Sequence, residues 1–134
     1  MLTLADYWMG RDKEYAADFT FAIAQNADVT ITRTNLLLSI YVARTGDTEK
    51  RVVTSGWRPP SLNAATPGAA LRSKHMTGQA IDISDPEGDL DSWLVDHTAV
   101  LQDVGLWMEH PGATKGWCHL QIVPPKSGNR CFYP

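Results

Sequence analysis

The stretch Ser73-Lys-His75-Met-Thr-Gly78-Gln-Ala80-Ile81-Asp82-Ile83-Ser84 decides how the chain reads. Its second half alternates as a strand does, with Ile81 and Ile83 on one face and Ala80, Asp82 and Ser84 on the other. The isoleucines belong in a core, so Asp82 is turned the opposite way beside a small Ala80. A later stretch, Trp117-Cys118-His119-Leu120-Gln121-Ile122-Val123, repeats the pattern. Cys118, Leu120 and Ile122 form its apolar side, and Trp117, His119 and Gln121 the other. His75 arrives from the loop ahead of the first strand, and Gly78 lets the backbone turn close to a bound ion. Two histidines and an aspartate then offer nitrogen and oxygen ligands to one metal. Three protein ligands leave a tetrahedral zinc ion one open position, which separates catalytic from structural zinc sites.

The residues around these strands suggest a hydrolytic site. Leu106 to Glu109 reads as a strand joined to Trp117–Val123 by the turn His110 to Gly116. With Trp117 across from Glu109, the carboxylate lies diagonal to His119 on the same face, about 7 Å away between Cα atoms. There it reaches a metal-bound water as general base and returns the proton to a leaving amine. His110 points away from this face. Arg58 follows the strand Arg51–Ser55 and is stiffened by Pro59 and Pro60. It is placed to hold an oxyanion or a substrate carboxylate. Ser73, Trp117 and Gln121 are candidate substrate contacts. His97 reads as a packing residue inside a helix, Trp57 as a core or pocket wall, and Tyr7-Trp8-Met9 as a core anchor.

Elsewhere the pattern is that of an ordinary folded chain. Apolar or small residues at Phe19, Ile23, Ala27, Ile31, Leu37, Leu38 and Tyr41 suit one or two helices packed on a sheet. Thr30, Thr32 and Thr34 lower the helical propensity and put any break near Asn26 to Asp28. Gly46 and Asp47 end the segment. Ser61 to Thr77 reads as a long loop, a feature that is usually functional or disordered. Asp85-Pro-Glu-Gly88 is a turn, and Asp89 or Asp91 caps a helix running to about Asp103, which Gly105 stops. Pro124 and Pro125 lack amide donors, so the tail does not continue a central strand. The sum is an α+β fold: a small, mainly antiparallel sheet with N-terminal helices packed on it.

The 134 residues fit one domain. A net charge of -3 disfavours binding to a nucleic-acid backbone, and no apolar run is long enough for a membrane span. The beginning Met1-Leu-Thr-Leu-Ala-Asp6 lacks the basic and apolar regions of a secretory signal, which implies synthesis in a cytoplasm. Cys118 and Cys131 are too few for a disulfide framework and read as free thiols.

Ser-x-His-x-x-Gly-x-Ala-x-Asp at Ser73 to Asp82, followed by Trp-x-His at Trp117 to His119, resembles the zinc D-alanyl-D-alanine carboxypeptidases. That group includes VanY-like carboxypeptidases and phage L-alanyl-D-glutamate endopeptidases, and shares the Hedgehog fold. Ser55-Gly-Trp-Arg58-Pro59 is similar to the family's Ser-Gly-Tyr-Arg segment. The resemblance spans about Asn35 to Val123. It implies zinc on His75, Asp82 and His119, and Arg58 as the transition-state or carboxylate contact. It also implies a peptidoglycan peptide as substrate and a monomeric phage endolysin that reaches the wall through a membrane lesion. Many members carry Glu-x-x-His at the last ligand. This chain departs from that, and Glu109 stands ten positions before His119. Two rivals stand beside the lytic peptidase: a zinc-containing binding module of the same fold, and a cytosolic D-alanyl-D-alanine dipeptidase.

Overall fold

The computed structural model describes residues Met1–Pro134. Helix α1 (Leu4–Trp8) starts in a capping box in which the Thr3 hydroxyl accepts from the Asp6 amide and the Asp6 carboxylate accepts from Thr3 N–H. It buries Tyr7 completely, and the Tyr7 hydroxyl donates to the Ala80 carbonyl at 2.8 Å. The short α2 (Arg11–Glu14) and a 3-10 turn (Ala16–Asp18) lead to α3 (Phe21–Thr45), whose first turn is capped by the Thr20 hydroxyl.

Helix α3 runs unbroken through the expected weak point and leaves Phe19 ahead of its first turn. Two of its three threonines at this point are bonded back to the helix. Thr30 and Thr34 are fully buried, and their hydroxyls donate back to the carbonyls of Asn26 and Thr30 at 2.9 and 2.7 Å. Tertiary burial of Ala27, Ile31, Leu37 and Tyr41 outweighs the small propensity cost of three threonines.

The sheet holds β1 (Val53–Ser55), β2 (Ala80–Asp85), β3 (Trp107–Glu109), β4 (Gly116–Gln121) and β5 (Cys131–Phe132), in the order β1-β2-β4-β3-β5. All pairings are antiparallel except β3 with β5. The tail after Pro125 thus returns as an edge strand beside β3, which the proline pair did not foretell. The prolines precede the turn, and the amides that pair lie beyond it. One face of the sheet, with Ile81, Ile83, Met108, Cys118 and Leu120, packs into a core with α3, α5 (Asp89–Asp96) and α6 (Thr98–Val104). Both cysteines are free, and burial pushes the Cys118 thiol well up, so it acts as a packing residue. No helix is long and apolar enough to cross a membrane.

Three expectations are corrected here. The segment after Trp57 is not all loop, because Pro60–Ala65 forms α4 with its proline in the first turn, where a missing amide costs nothing. The helix expected from Asp89 to Asp103 is two helices, α5 and α6. His97 (φ -133°, ψ 45°) is the corner between them, with its ring stacked on Trp93 at 4.1 Å and bonded to the Trp93 carbonyl. The cap of α5 is neither Asp89 nor Asp91. The carboxylate of Asp85, at the end of β2, accepts from the amides of Leu90 and Asp91 at 3.1 and 2.9 Å. Asp85 is wholly buried and also ion-paired to Arg51 at 2.8 Å.

Candidate metal centre and catalytic face

The face of the sheet opposite the core carries the candidate site. Ser55 pairs with Asp82 across β1 and β2, and Asp82 with His119 across β2 and β4. In β3, Trp107 pairs with Gln121 and Met108 with Leu120. That register places Glu109 directly opposite His119, two residues from the expected pairing with Trp117. The connection explains the shift: His110 donates its amide to the Phe132 carbonyl and starts a 3-10 turn (Pro111–Ala113), so β3 leaves its partner early. A shift of two conserves the face, and Glu109 stays on the side of Asp82 and His119.

His75 comes from outside the sheet, on a 3-10 turn (Lys74–Thr77) that the rest of the chain holds tightly. The Ser73 hydroxyl caps this turn by accepting from the His75 amide at 3.2 Å. Four successive carbonyls are then engaged. His75 O accepts from Arg58 N–H, Met76 O from the Trp57 indole, Thr77 O from the Asn26 side-chain amide, and Gly78 O shares the Thr30 hydroxyl proton with the Asn26 carbonyl. Asn26 and Thr30 help hold this turn, and no local pattern in the sequence marks them, because they act across distant parts of the chain. Gly78 closes the turn at φ 76°, and a Cβ there would lie 2.7 Å from the Ile23 carbonyl of α3. The close approach that demands glycine is to a helix backbone, not to an ion.

The Nδ1 of His75 donates to the Gly56 carbonyl at 2.8 Å. Gly56 admits no side chain, since a Cβ would sit 1.9 Å from the Tyr7 carbonyl oxygen. Gly56→Ala is therefore expected to displace that carbonyl and loosen His75. A drop in melting temperature of several degrees together with weaker metal uptake would show it, and an unchanged thermal midpoint would refute it.

Four ring nitrogens face oxygen acceptors at the centre. His75 Nδ1 faces Gly56 O, while His75 Nε2 faces Asp82 Oδ2 at 3.3 Å. His119 Nδ1 faces Asp82 Oδ1 at 2.8 Å, and His119 Nε2 faces Gln121 Oε1 at 3.1 Å. Two neutral imidazoles carry one N–H each, enough for the outer contacts at Gly56 and Gln121. The two inner nitrogens and the carboxylate between them then present lone pairs to a common point. A single divalent cation satisfies all three, and without one each imidazole must take up a second proton to bond the carboxylate. The donor set therefore fits zinc. These ligand atoms all lie within 4.8 Å of one another.

Without a cation the imidazoles instead share protons with Asp82. Burial opposes ionisation of Asp82, but hydrogen bonds from His119 and His75 overcome it and hold the carboxyl far below its usual range. Burial depresses His119, yet the Asp82 hydrogen bond and charge raise it overall. Glu109 is half-buried, and its carboxyl is raised by burial, partly offset by His119 and reinforced by Asp82. Arg58 directs Nη1 to Asn63 Oδ1 at 3.0 Å and Nη2 to Ser55 Oγ at 3.1 Å, which fixes the guanidinium on the site side of β1. Trp117 is about one-third exposed at 36% and can line a cleft. Gln121 is buried, with its amide nitrogen donating to the Val123 carbonyl at 2.8 Å. A cavity of about 810 Å³ lies between α3 and the β1 edge, and no candidate site residue lines it.

An α+β domain with a His-Asp-His cluster on one sheet face, a carboxylate opposite and an anchored arginine has the parts of a metallohydrolase. The Peptidase M15 family model matches residues 17–119, and the chain belongs to that family. Among solved structures, the Serratia marcescens L-Ala D-Glu endopeptidase ChiX is similar, at 22% sequence identity and a TM-score of 0.44, covering 78% of this chain and 89% of that one. No curated protein matches this chain in sequence.

Proposed function

We propose that the chain is a zinc peptidase that hydrolyses peptide bonds in the stem or cross-bridge of peptidoglycan. The observation that carries the reading is the convergence of His75 Nε2, Asp82 and His119 Nδ1 on one point. Family membership supports the peptidase class. Bound to these three side chains, zinc would supply Lewis acidity to a scissile carbonyl and to the attacking water. Glu109, opposite His119, takes the water's proton and returns it to the leaving amine. Arg58, held by Asn63 and Ser55, stabilises the negative charge that grows on the carbonyl oxygen. Trp117 walls the substrate cleft.

The test is mass spectrometry of fragments released from purified peptidoglycan by the zinc-loaded protein. Soluble stem-peptide fragments are expected, and their termini identify the bond. Zinc binding without any released fragment would instead make the chain a binding module. Hydrolysis of free D-alanyl-D-alanine alone would make it a dipeptidase. The lytic role proposed with this reading, that of a phage endolysin, is supported by the sequence resemblance. Its check is clearing of permeabilised Gram-negative cells.

A further inference from the structure

We infer that Gln121 is a positioning residue that commits His119 to bind metal through Nδ1, an assignment that rests on the zinc reading above. The His119 ring offers two nitrogens, and a metal can take either unless the other is occupied. Here Nε2 points at Gln121 Oε1 at 3.1 Å, and an amide oxygen can only accept. Nε2 must therefore carry the proton, which leaves Nδ1 unprotonated on the side of Asp82.

The amide itself could be flipped, and then its NH2 group would donate to a bare Nε2 and move the ring proton to Nδ1. The Val123 carbonyl prevents this by accepting from Gln121 Nε2 at 2.8 Å. Val123 precedes Pro124, and a residue before proline is restricted to extended backbone, which limits how far that carbonyl can rotate. The path runs from a proline-stiffened carbonyl to the amide, from the amide to the ring, and from the ring to the metal. Gln121 is 6% exposed, and both ends of its amide are spent on this path. That leaves it without the substrate contact its place on the strand suggested.

The test compares wild type, Gln121→Met and Gln121→Glu. Methionine keeps the length and removes the acceptor, whereas glutamate keeps an acceptor for Nε2–H. Zinc affinity of the metal-free proteins is measured by chelator competition. Gln121→Met is expected to bind zinc about 10–100-fold more weakly, the usual loss when an outer partner of a ligating histidine goes. Gln121→Glu is expected to hold zinc far better than Gln121→Met. Nitrogen-15 NMR of the zinc-loaded wild type is expected to place the His119 proton on Nε2. A proton on Nδ1 overturns the inference, whether or not the variants fold. So does a folded Gln121→Met with wild-type affinity. A wild type that takes up no zinc removes the metal reading itself, and this role with it.

Discussion

Glu109→Gln is expected to slow peptide hydrolysis by about 10²–10⁴-fold, the usual contribution of a positioned general base. Glutamine keeps the shape and polarity of the side chain but cannot accept the water's proton at neutral pH. The residue lies opposite His119 without being one of the three converging ligands, so bound zinc per chain is expected to stay at the wild-type ratio. The decisive comparison is turnover and metal content in one preparation. Full turnover in Glu109→Gln would remove Glu109 from the mechanism. Asp85, the other carboxylate near the β2 end, could not then take its place. It is wholly buried, bound to Arg51 and to the first amides of α5, and shares the alternate face with Ile81 and Ile83. An Asp82→Ala control separates the two roles, because it is expected to lose metal and activity together.

Arg51→Met is expected to cost about 3–5 kcal/mol of folding stability, since it strands a buried carboxylate. The Arg51 side chain is only 5% exposed and that of Asp85 is fully buried, so Asp85 has no water to turn to. Such a loss is a large share of the about 5–15 kcal/mol that typically holds a domain together. The outer partner tells the opposite story. Glu49 contacts Arg51 at 3.5 Å with a side chain 40% exposed, and Glu49→Gln is expected to change stability by less than about 1 kcal/mol. Urea titrations of both variants measure the contrast, and equal midpoints would refute it. The same cluster sets a pH dependence. Burial and the Asp85 charge push the Asp91 carboxyl up to about 7. The folded state then holds that proton more tightly than the unfolded chain, whose carboxyl titrates near about 3.9. The stability it contributes is complete below the unfolded value and is lost as pH rises through about 7. Asp91→Asn is expected to flatten that slope.

The ligand set was readable because strand alternation is local. Ile81 and Ile83 on one side oblige Asp82 to the other, and Leu120 does the same for His119. Glu109 was placed on the right face with the wrong partner, since face depends on parity and register depends on how the connection folds. Here His110 binds the returning tail, which no window around the turn contains. The threonines of α3 misled in the same way. Their propensity is a property of the segment, and their burial against the sheet is a property of the whole.

By itself, the sequence determined the α+β class and the sheet face that Asp82 and His119 share, because side-chain periodicity and the burial of apolar residues act within a few neighbours. Tertiary structure alone decided the orientation of His75. Gly56 and the helix-bound turn below Gly78 fix which of its nitrogens faces inward, and those partners lie in other segments of the chain. Hydrogen-bond geometry is set only when distant backbone groups are brought within 3 Å or so. A metal site made from such groups exists only once the chain has closed.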